Sequence, residues 1–444
     1  MSKFLRSIAL AILLTLPAYA GGPLLVGGTI DAPGLPFKWD TSVPVPYRTD
    51  LGTLGTLNKA AADQLTADMF LVWENVPTAV IAFTNAGDLS QDVTGTNFLQ
   101  LDDDPNSEIN NNSAIIYDTN GSVTDVVFGA GASSHILGFA GPQFIASDGI
   151  SNSITLGRAV LNGKFIDGKA NPADVSLEEF KEAFIHEFGH FSGLDHSQIN
   201  LEVLNSFPCN ADDLAGLPLM FPILACQSRV SAGLPQLAPD DIAAISELYP
   251  DVSFQSSTGR IQGRILFSDG TTQVQGLNVV ARQVDNPATP ENESRRIAVS
   301  SSSGFRFTMS AGNPLDPFSD FGFGSQDQNL IGLYEIPGLA PGSYTVEVEA
   351  IDPQFVGGSG IGPIGGFLGF NFPMPGTCPT EFLNITPPES DTDACTDQSP
   401  LVVNPGAVLN VGTDIILNGT PPTFDAWESA RLWLPSLWAR RAEA

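Results

Sequence analysis

Residues 186–196 read His186-Glu187-Phe188-Gly189-His190-Phe191-Ser192-Gly193-Leu194-Asp195-His196, and three of the four histidines in the chain lie inside this run. That spacing dictates a local fold. A helix turns ~100° per residue, so His186 and His190 project from one face. Gly193 can adopt left-handed backbone, end the helix and bring His196 round to the other two. Three imidazoles leave one position of a tetrahedral ion open to water, which is the arrangement of a catalytic zinc site rather than a closed structural one. Glu187, beside them, is the candidate catalytic residue, able to take a proton from water and return it to a leaving amine.

The preceding residues support the helix. Ser176 and Glu179 form a capping-box pattern, and Phe180, Ala183, Phe184 and Phe188 supply an apolar face, so a helix is predicted from Leu177 to Leu194. Asn58 to Glu74 carries Leu65, Met69, Val72 and Trp73 at helical spacing and is closed by Pro77. Strands are predicted at Ala79–Thr84, Ala114–Tyr117, Val123–Phe128 and Ile154–Leu161.

The eleven-residue motif resembles the signature of the metzincin zinc metalloproteases. Leu217-Pro218-Leu219-Met220-Phe221-Pro222 is similar to that family's methionine turn, with Met220 beneath the metal. Leu237 to Tyr249 resembles the last helix of the matrixin branch: Pro239 suits its first turn, Asp240 and Asp241 suit its positive end, and Ile242, Ile245 and Leu248 are expected to point inward. Pro222, where other branches carry tyrosine, also favours matrixins. The resemblance covers about half the chain. It implies one zinc held by His186, His190 and His196, Glu187 as base and acid, and a protein or peptide substrate bound in extended form along an edge strand. The stretch from His196 to Met220 is long for a matrixin. Only His135 lies outside the motif, so a second, structural zinc is not expected. No cysteine precedes Cys209, so a cysteine-switch latency is excluded; Asp31 or Asp40 is the alternative plug, and a surface charge the simpler reading of either.

Residues 1–20 have the basic start, apolar core and Ala18-Tyr19-Ala20 end of a signal peptide, which predicts an exported chain. The four cysteines agree with an oxidising compartment, and Cys209/Cys226 and Cys378/Cys395 are the nearest-neighbour pairs. No later apolar run is long enough to span a bilayer. With 19 Lys and Arg against 49 Asp and Glu, the formal charge of −30 argues against nucleic acid or anionic membranes as partners. Acidity also raises calcium as a second cofactor. Asp118, Asn120, Ser122 and Asp125 fit the start of an oxygen-rich calcium loop, and equally an Asn-Gly hairpin turn; Asp102-Asp103-Asp104 reads as a solvated acidic loop.

After residue 250 the helical patterns stop and short strands with glycine turns take over: Arg260–Phe267, Leu277–Arg282, Phe305–Met309, Tyr334–Ile336, Tyr344–Ala350 and Thr413–Leu417. Gly338 to Val346 resembles the turn-then-strand sequence of carboxypeptidase-regulatory-like, transthyretin-type sandwiches. The fold class expected is therefore α+β, with a short N-terminal segment (21–38) and a metzincin-type domain of a twisted sheet plus three helices (39–250). A linker (251–258), an all-β sandwich with a Gly/Pro-rich insertion around 357–376 (259–419) and a tail (420–444) follow. The tail carries Trp427, Trp433, Trp438 and Arg440-Arg441 and reads as an interfacial helix, a sorting segment, or a segment that docks on the sandwich. Two functions fit these features: a secreted zinc endopeptidase, or a surface or matrix binding protein whose zinc site is vestigial and whose sandwich holds the ligand.

Overall fold

The computed structural model describes residues 22–26, 34–205, 208–274, 276–304, 332–351, 376–386, 388–412 and 414–419. The predicted signal peptide, Asp31, the predicted strand Phe305–Met309, most of the Gly/Pro-rich insertion and the tail lie outside them. The chain is a mixed α/β protein, consistent with the α+β class. Its first half holds β1 (Val45–Thr49), α1 (Lys59–Glu74), β2 (Phe83–Asp88), α2 (Phe98–Asp103), α3 (Glu108–Asn111) and β3 (Ala114–Asp118). α4 (Ser122–Phe128), β4 (Gly138–Ser147), β5 (Asn152–Asn162), α5 (Leu177–Phe191), α6 (Ala211–Gly216) and α7 (Pro239–Leu248) complete it.

The five strands form one sheet in the order β2-β1-β3-β5-β4. All neighbours are parallel except β4, which runs antiparallel to β5 and forms one edge. α1 and α5 cover one face. Between them the sheet buries Phe70, Phe184, Phe188 and Phe191, with the Phe70 and Phe188 rings stacked at a centroid distance of 3.8 Å. Aromatic rings of this size account for much of the apolar area removed from water, which is what holds an α5 carrying polar histidines against the sheet.

Three sequence expectations are corrected in this half. Residues 123–128 form a helix, not a strand, because Asp118 turns its carboxylate onto the N–H groups of Val123 and Thr124 and caps a helix start that period-two patterning does not reveal. The strand expected at Ala79–Thr84 begins only at Phe83; upstream, Ala79 bridges Pro250 and Val80 donates to Tyr249 O, so this stretch fastens the end of α7 instead. Ile242 of α7 is exposed, whereas Ala243 turns inward with Ile245 and Leu248.

α8 (Phe254–Ser257) occupies the predicted linker and buries Phe254, so the connection is a packed turn rather than a free tether. The second half contains β6 (Gly259–Leu266), β7 (Leu277–Gln283), α9 (Glu293–Arg296), β8 (Ala298–Ser302), β9 (Leu333–Leu339) and β10 (Gly342–Ala350). β11 (Thr380–Phe382), β12 (Leu401–Val403), β13 (Val408–Asn410) and β14 (Ile415–Ile416) follow. One sheet runs β11-β10-β7-β8, with β12 also pairing β10; a second has β13 and β14 parallel to β6, with β9 antiparallel to it. Their facing residues, Ile261, Val279, Tyr334, Ile336 and Val346 among them, make one core.

The two halves share that core. Ala243 of α7 packs into it, and Ile199, three residues beyond His196, is buried against Val280 and Ala298. Polar contacts add to the seam. Ser300 donates N–H to Asp240 at 2.7 Å, Arg295 pairs with Asp213 at 2.7 Å and Arg296 with Asp212 at 2.5 Å. The long stretch between His196 and Met220 therefore has a structural use: α6 and Asn200 within it carry the second domain. Asn200 takes a left-handed φ of 63° and accepts N–H bonds from Arg282 and Arg295 on its side-chain oxygen. The cysteines pair as Cys209–Cys226 and Cys378–Cys395. Among the described residues no helix is long and apolar enough to cross a membrane.

Candidate metal centre

α5 starts at the expected capping box: Ser176 accepts the Glu179 N–H, and Glu179 accepts the Ser176 N–H at 2.8 Å. It ends at Phe191. Gly193 then takes φ +92°, a conformation costly for any other L-residue, and the chain reverses as required to return His196 to the helix. The reversal is held from several sides. The Tyr249 hydroxyl donates to Ser192 O at 2.6 Å, the Trp39 indole N–H donates to Phe191 O at 2.8 Å, and Asp195 accepts the His196 N–H at 2.7 Å. The N-terminal segment joins in, since Leu24 donates N–H to Gly193 O and Gly22 O accepts the Asp195 N–H.

Among the described residues, His186, His190 and His196 are the only group of three or more His, Cys, Asp or Glu side chains able to hold one metal ion, with ligand atoms all within 4.8 Å of one another. His190 Nε2 lies 3.1 Å from both His186 Nε2 and His196 Nε2. Three nitrogens at ~2.05 Å from a tetrahedral ion would be ~3.3 Å apart, so the donor set fits a zinc-sized ion. Protonation supports the fit. His186 Nδ1 lies 2.8 Å from Leu219 O and His190 Nδ1 lies 2.8 Å from Leu194 O. A carbonyl can only accept, so both Nδ1 atoms carry the proton and both Nε2 atoms present lone pairs to the common centre. Burial lowers all three imidazole pKa values, His190 to about 3 with His186 adding to the effect, which keeps the rings neutral.

Glu187 is buried, and its Oε2 has no hydrogen-bond partner among the described residues. Burial pushes its carboxyl up to about 8. An unpartnered buried carboxylate oxygen is expensive in a part used only for structure. The side chain lies over the start of the edge strand: a methyl group at Gly138 of β4 would come within 2.8 Å of Glu187 Cγ.

Met220 is buried against α5 at Gly189, the residue before His190. A Cβ on Gly189 would lie 2.3 Å from Met220 Sδ and 2.9 Å from Trp73 Cζ2, so only glycine fits there. The chief residue that sequence reasoning missed is Asp241. Its Oδ2 accepts N–H from Leu219 at 2.8 Å and from Ala238 at 2.7 Å, and its Oδ1 accepts the Met220 N–H at 2.9 Å. It therefore fixes the turn whose Leu219 carbonyl orients His186. Charge at a helix start pointed to α7 but could not tell that this carboxylate looks inward; the only available signal was a pair of acids followed by an apolar stripe.

The remaining candidates fall elsewhere. Asp118 and Asp125 spend their carboxylates on backbone N–H groups, Val123 and Thr124 for the first, Gly131 and Ser133 for the second. Asn120 accepts the Ser122 N–H, and the Ser122 hydroxyl accepts the Gly95 N–H. The four side chains thus organise a helix start instead of converging as a calcium loop, and the hairpin alternative is replaced as well. Asp102, in the last turn of α2, pairs with Arg158 at 2.6 Å, and exposed Asp40 accepts the Ser42 N–H. No family model matches the chain, and no curated protein matches it either.

Proposed function

We propose that the chain is a zinc-dependent endopeptidase of the matrixin-like metzincin type, exported through its signal peptide. The observation that carries this reading is the convergence of three imidazole Nε2 atoms, those of His186 and His190 left as lone pairs by the carbonyls at their Nδ1 atoms, beside the buried Glu187 carboxyl, whose Oε2 has no partner among the described residues. Neutral imidazoles without an ion would leave lone pairs of His186 and His190 facing each other at 3.1 Å. When bound, zinc supplies Lewis acidity, making a water nucleophilic near neutral pH and polarising a carbonyl oxygen.

The chain's own groups do the rest. Glu187 Oε2 takes the proton of the attacking water and returns it to the departing amine nitrogen. The Leu219 and Leu194 carbonyls hold the imidazoles of His186 and His190 in one tautomer and orientation. β4 is an edge strand, so its outer N–H and C=O groups are open to an extended peptide passing Glu187, and main-chain pairing there would accept many sequences.

The test is cleavage of an unfolded protein by residues 21–444. Wild type is expected to cut it. Glu187→Ala is expected to retain zinc and lose at least ~100-fold in rate, the size of a general-base contribution. Zinc-loaded wild type that cuts nothing across a broad peptide library would overturn the proposal and favour the surface-binding alternative.

A further inference from the structure

The three imidazoles of the triad are not held alike. His186 and His190 each meet a main-chain carbonyl at Nδ1, whereas His196 Nδ1 is buried with no hydrogen-bond partner among the described residues. A ligating ring without such an outer partner has to be placed by its main chain. After His196 the chain leaves α5 as a buried arm, with Ser197 1% exposed and Gln198, Ile199 and Asn200 0%. Ser197 donates its N–H to Met220 O at 2.9 Å. Beyond that bond the arm meets the sandwich.

Ile199 is buried against Val280 of β7 and Ala298 of β8, on the sheet face turned away from the core that Val279 and Ala281 line. Asn200 Oδ1 accepts from Arg282 of β7 at 2.8 Å and from Arg295 of α9 at 3.2 Å, while its Nδ2 donates to Arg295 O and to Gly216 O, both at 3.1 Å. One amide thus ties the arm to the sandwich and to the end of α6. The Ser197 hydroxyl hydrogen-bonds Asp240, which also accepts the Ser300 N–H of β8 at 2.7 Å. Among the described residues Asn200 is the one non-glycine with a positive φ, 63°. Such a backbone costs free energy and persists where surrounding contacts over-determine it.

We infer that the sandwich is a positioning part of the metal centre: through Val280, Arg282 and Arg295 it holds the Ile199–Asn200 end of the arm that sets His196 on the ion. The inference deepens the reading of the triad as a metal centre and rests on it. Because the arm is short and fully packed, a shift at Asn200 is passed to His196 instead of being absorbed by a loose loop. The arm does for His196 what the Leu219 and Leu194 carbonyls do for the other two rings, and outer supports of ligating histidines are worth ~10–100-fold in metal affinity. A sandwich that merely docked beside the first domain would add stability and leave that affinity untouched.

The experiment uses residues 21–444, stripped of metal and titrated with zinc chloride against a fluorescent chelator, and separately with cobalt chloride, whose visible absorption reports the geometry of the bound ion. Asn200→Gly keeps the left-handed backbone without steric cost and removes only the amide, so it is expected to weaken zinc ~10-fold or more and to change the cobalt spectrum. Asn200→Asp, which retains the acceptor for Arg282 and Arg295, is expected to recover most of the affinity. Val280→Ala opens space behind Ile199 and is expected to weaken zinc as well. Val346→Ala, the same truncation between the two sheets, is expected to lower Tm and leave zinc affinity alone. Unchanged zinc affinity and cobalt spectrum in Asn200→Gly and Val280→Ala, or an equal loss of affinity in Val346→Ala, would overturn this inference alone. Wild type that binds neither metal would overturn the metal centre together with it.

Discussion

Asp241→Asn is the most informative perturbation of the metal centre, because it alters nothing that would touch metal or substrate. The carboxylate serves three buried N–H groups, those of Leu219, Met220 and Ala238. Asparagine has one acceptor oxygen. If that oxygen keeps Leu219 and Ala238, the Met220 N–H faces an amide N–H₂; the opposite orientation strands two. One buried N–H without an acceptor costs ~1–3 kcal/mol, and the opposed donors bring the expected loss to ~2–4 kcal/mol. At ~2–4 °C per kcal/mol for a unit of this size, Tm should fall by ~5–15 °C. The same change loosens the Leu219 carbonyl that holds His186 Nδ1 at 2.8 Å, and loss of such an outer partner typically weakens metal binding ~10–100-fold. The assay pairs thermal unfolding with zinc competition against a fluorescent chelator, and exposed Ile242→Ala serves as the neutral control. A variant within ~0.5 kcal/mol of wild type that also binds zinc equally tightly would refute the account of Asp241 as the support of the turn.

Other consequences can be measured separately. Gly189→Ala should lower stability by ~1–3 kcal/mol through overpacking, because the new methyl meets Met220 Sδ and the rigid Trp73 ring; chemical denaturation with an unchanged midpoint would contradict it. Burial raises the Asp240 carboxyl to about 7, above its unfolded value of ~3.9, so its contribution is fully present below ~pH 4 and is lost as pH rises through about 7. Neighbouring Asp241 adds to that rise while Ser197 and Ser300 oppose it, and Asp240→Asn should flatten the stability profile over this window; an unchanged slope counts against the assignment. Because Ala243 and Ile199 are buried against the sandwich, the full chain should unfold in one calorimetric transition, and Arg295→Ala, which strands buried Asp213, should lower its Tm. Two separate transitions in wild type would show the halves to be independent.

Much of the site is legible in the sequence because its parts are local. The four-residue spacing of His186 and His190, the capping box at Ser176 and the glycine at 193 each act within one helix and its exit, and the structure places them as the spacing requires. The parts that were not legible depend on contacts between distant segments. Asp118 caps α4 although the β-branched run of Val123, Thr124, Val126 and Val127 suggests a strand, since one carboxylate aimed at two N–H groups outweighs a weak propensity. Ile242 and Ala243 exchange places because the sandwich, absent from any helical-wheel argument, covers the small residue rather than the large one. Likewise, the linker is no spacer, as Phe254 is buried.

The chemistry proposed for the histidine triad and Glu187 is peptide hydrolysis. Its most direct test is mass spectrometry of an unfolded protein incubated with residues 21–444 in heavy-oxygen water. New carboxyl termini, each labelled with one solvent oxygen, are expected from zinc-loaded wild type, and none above background from Glu187→Ala at equal zinc content. Cleavage by Glu187→Ala at the wild-type rate, or by metal-free protein, would contradict it.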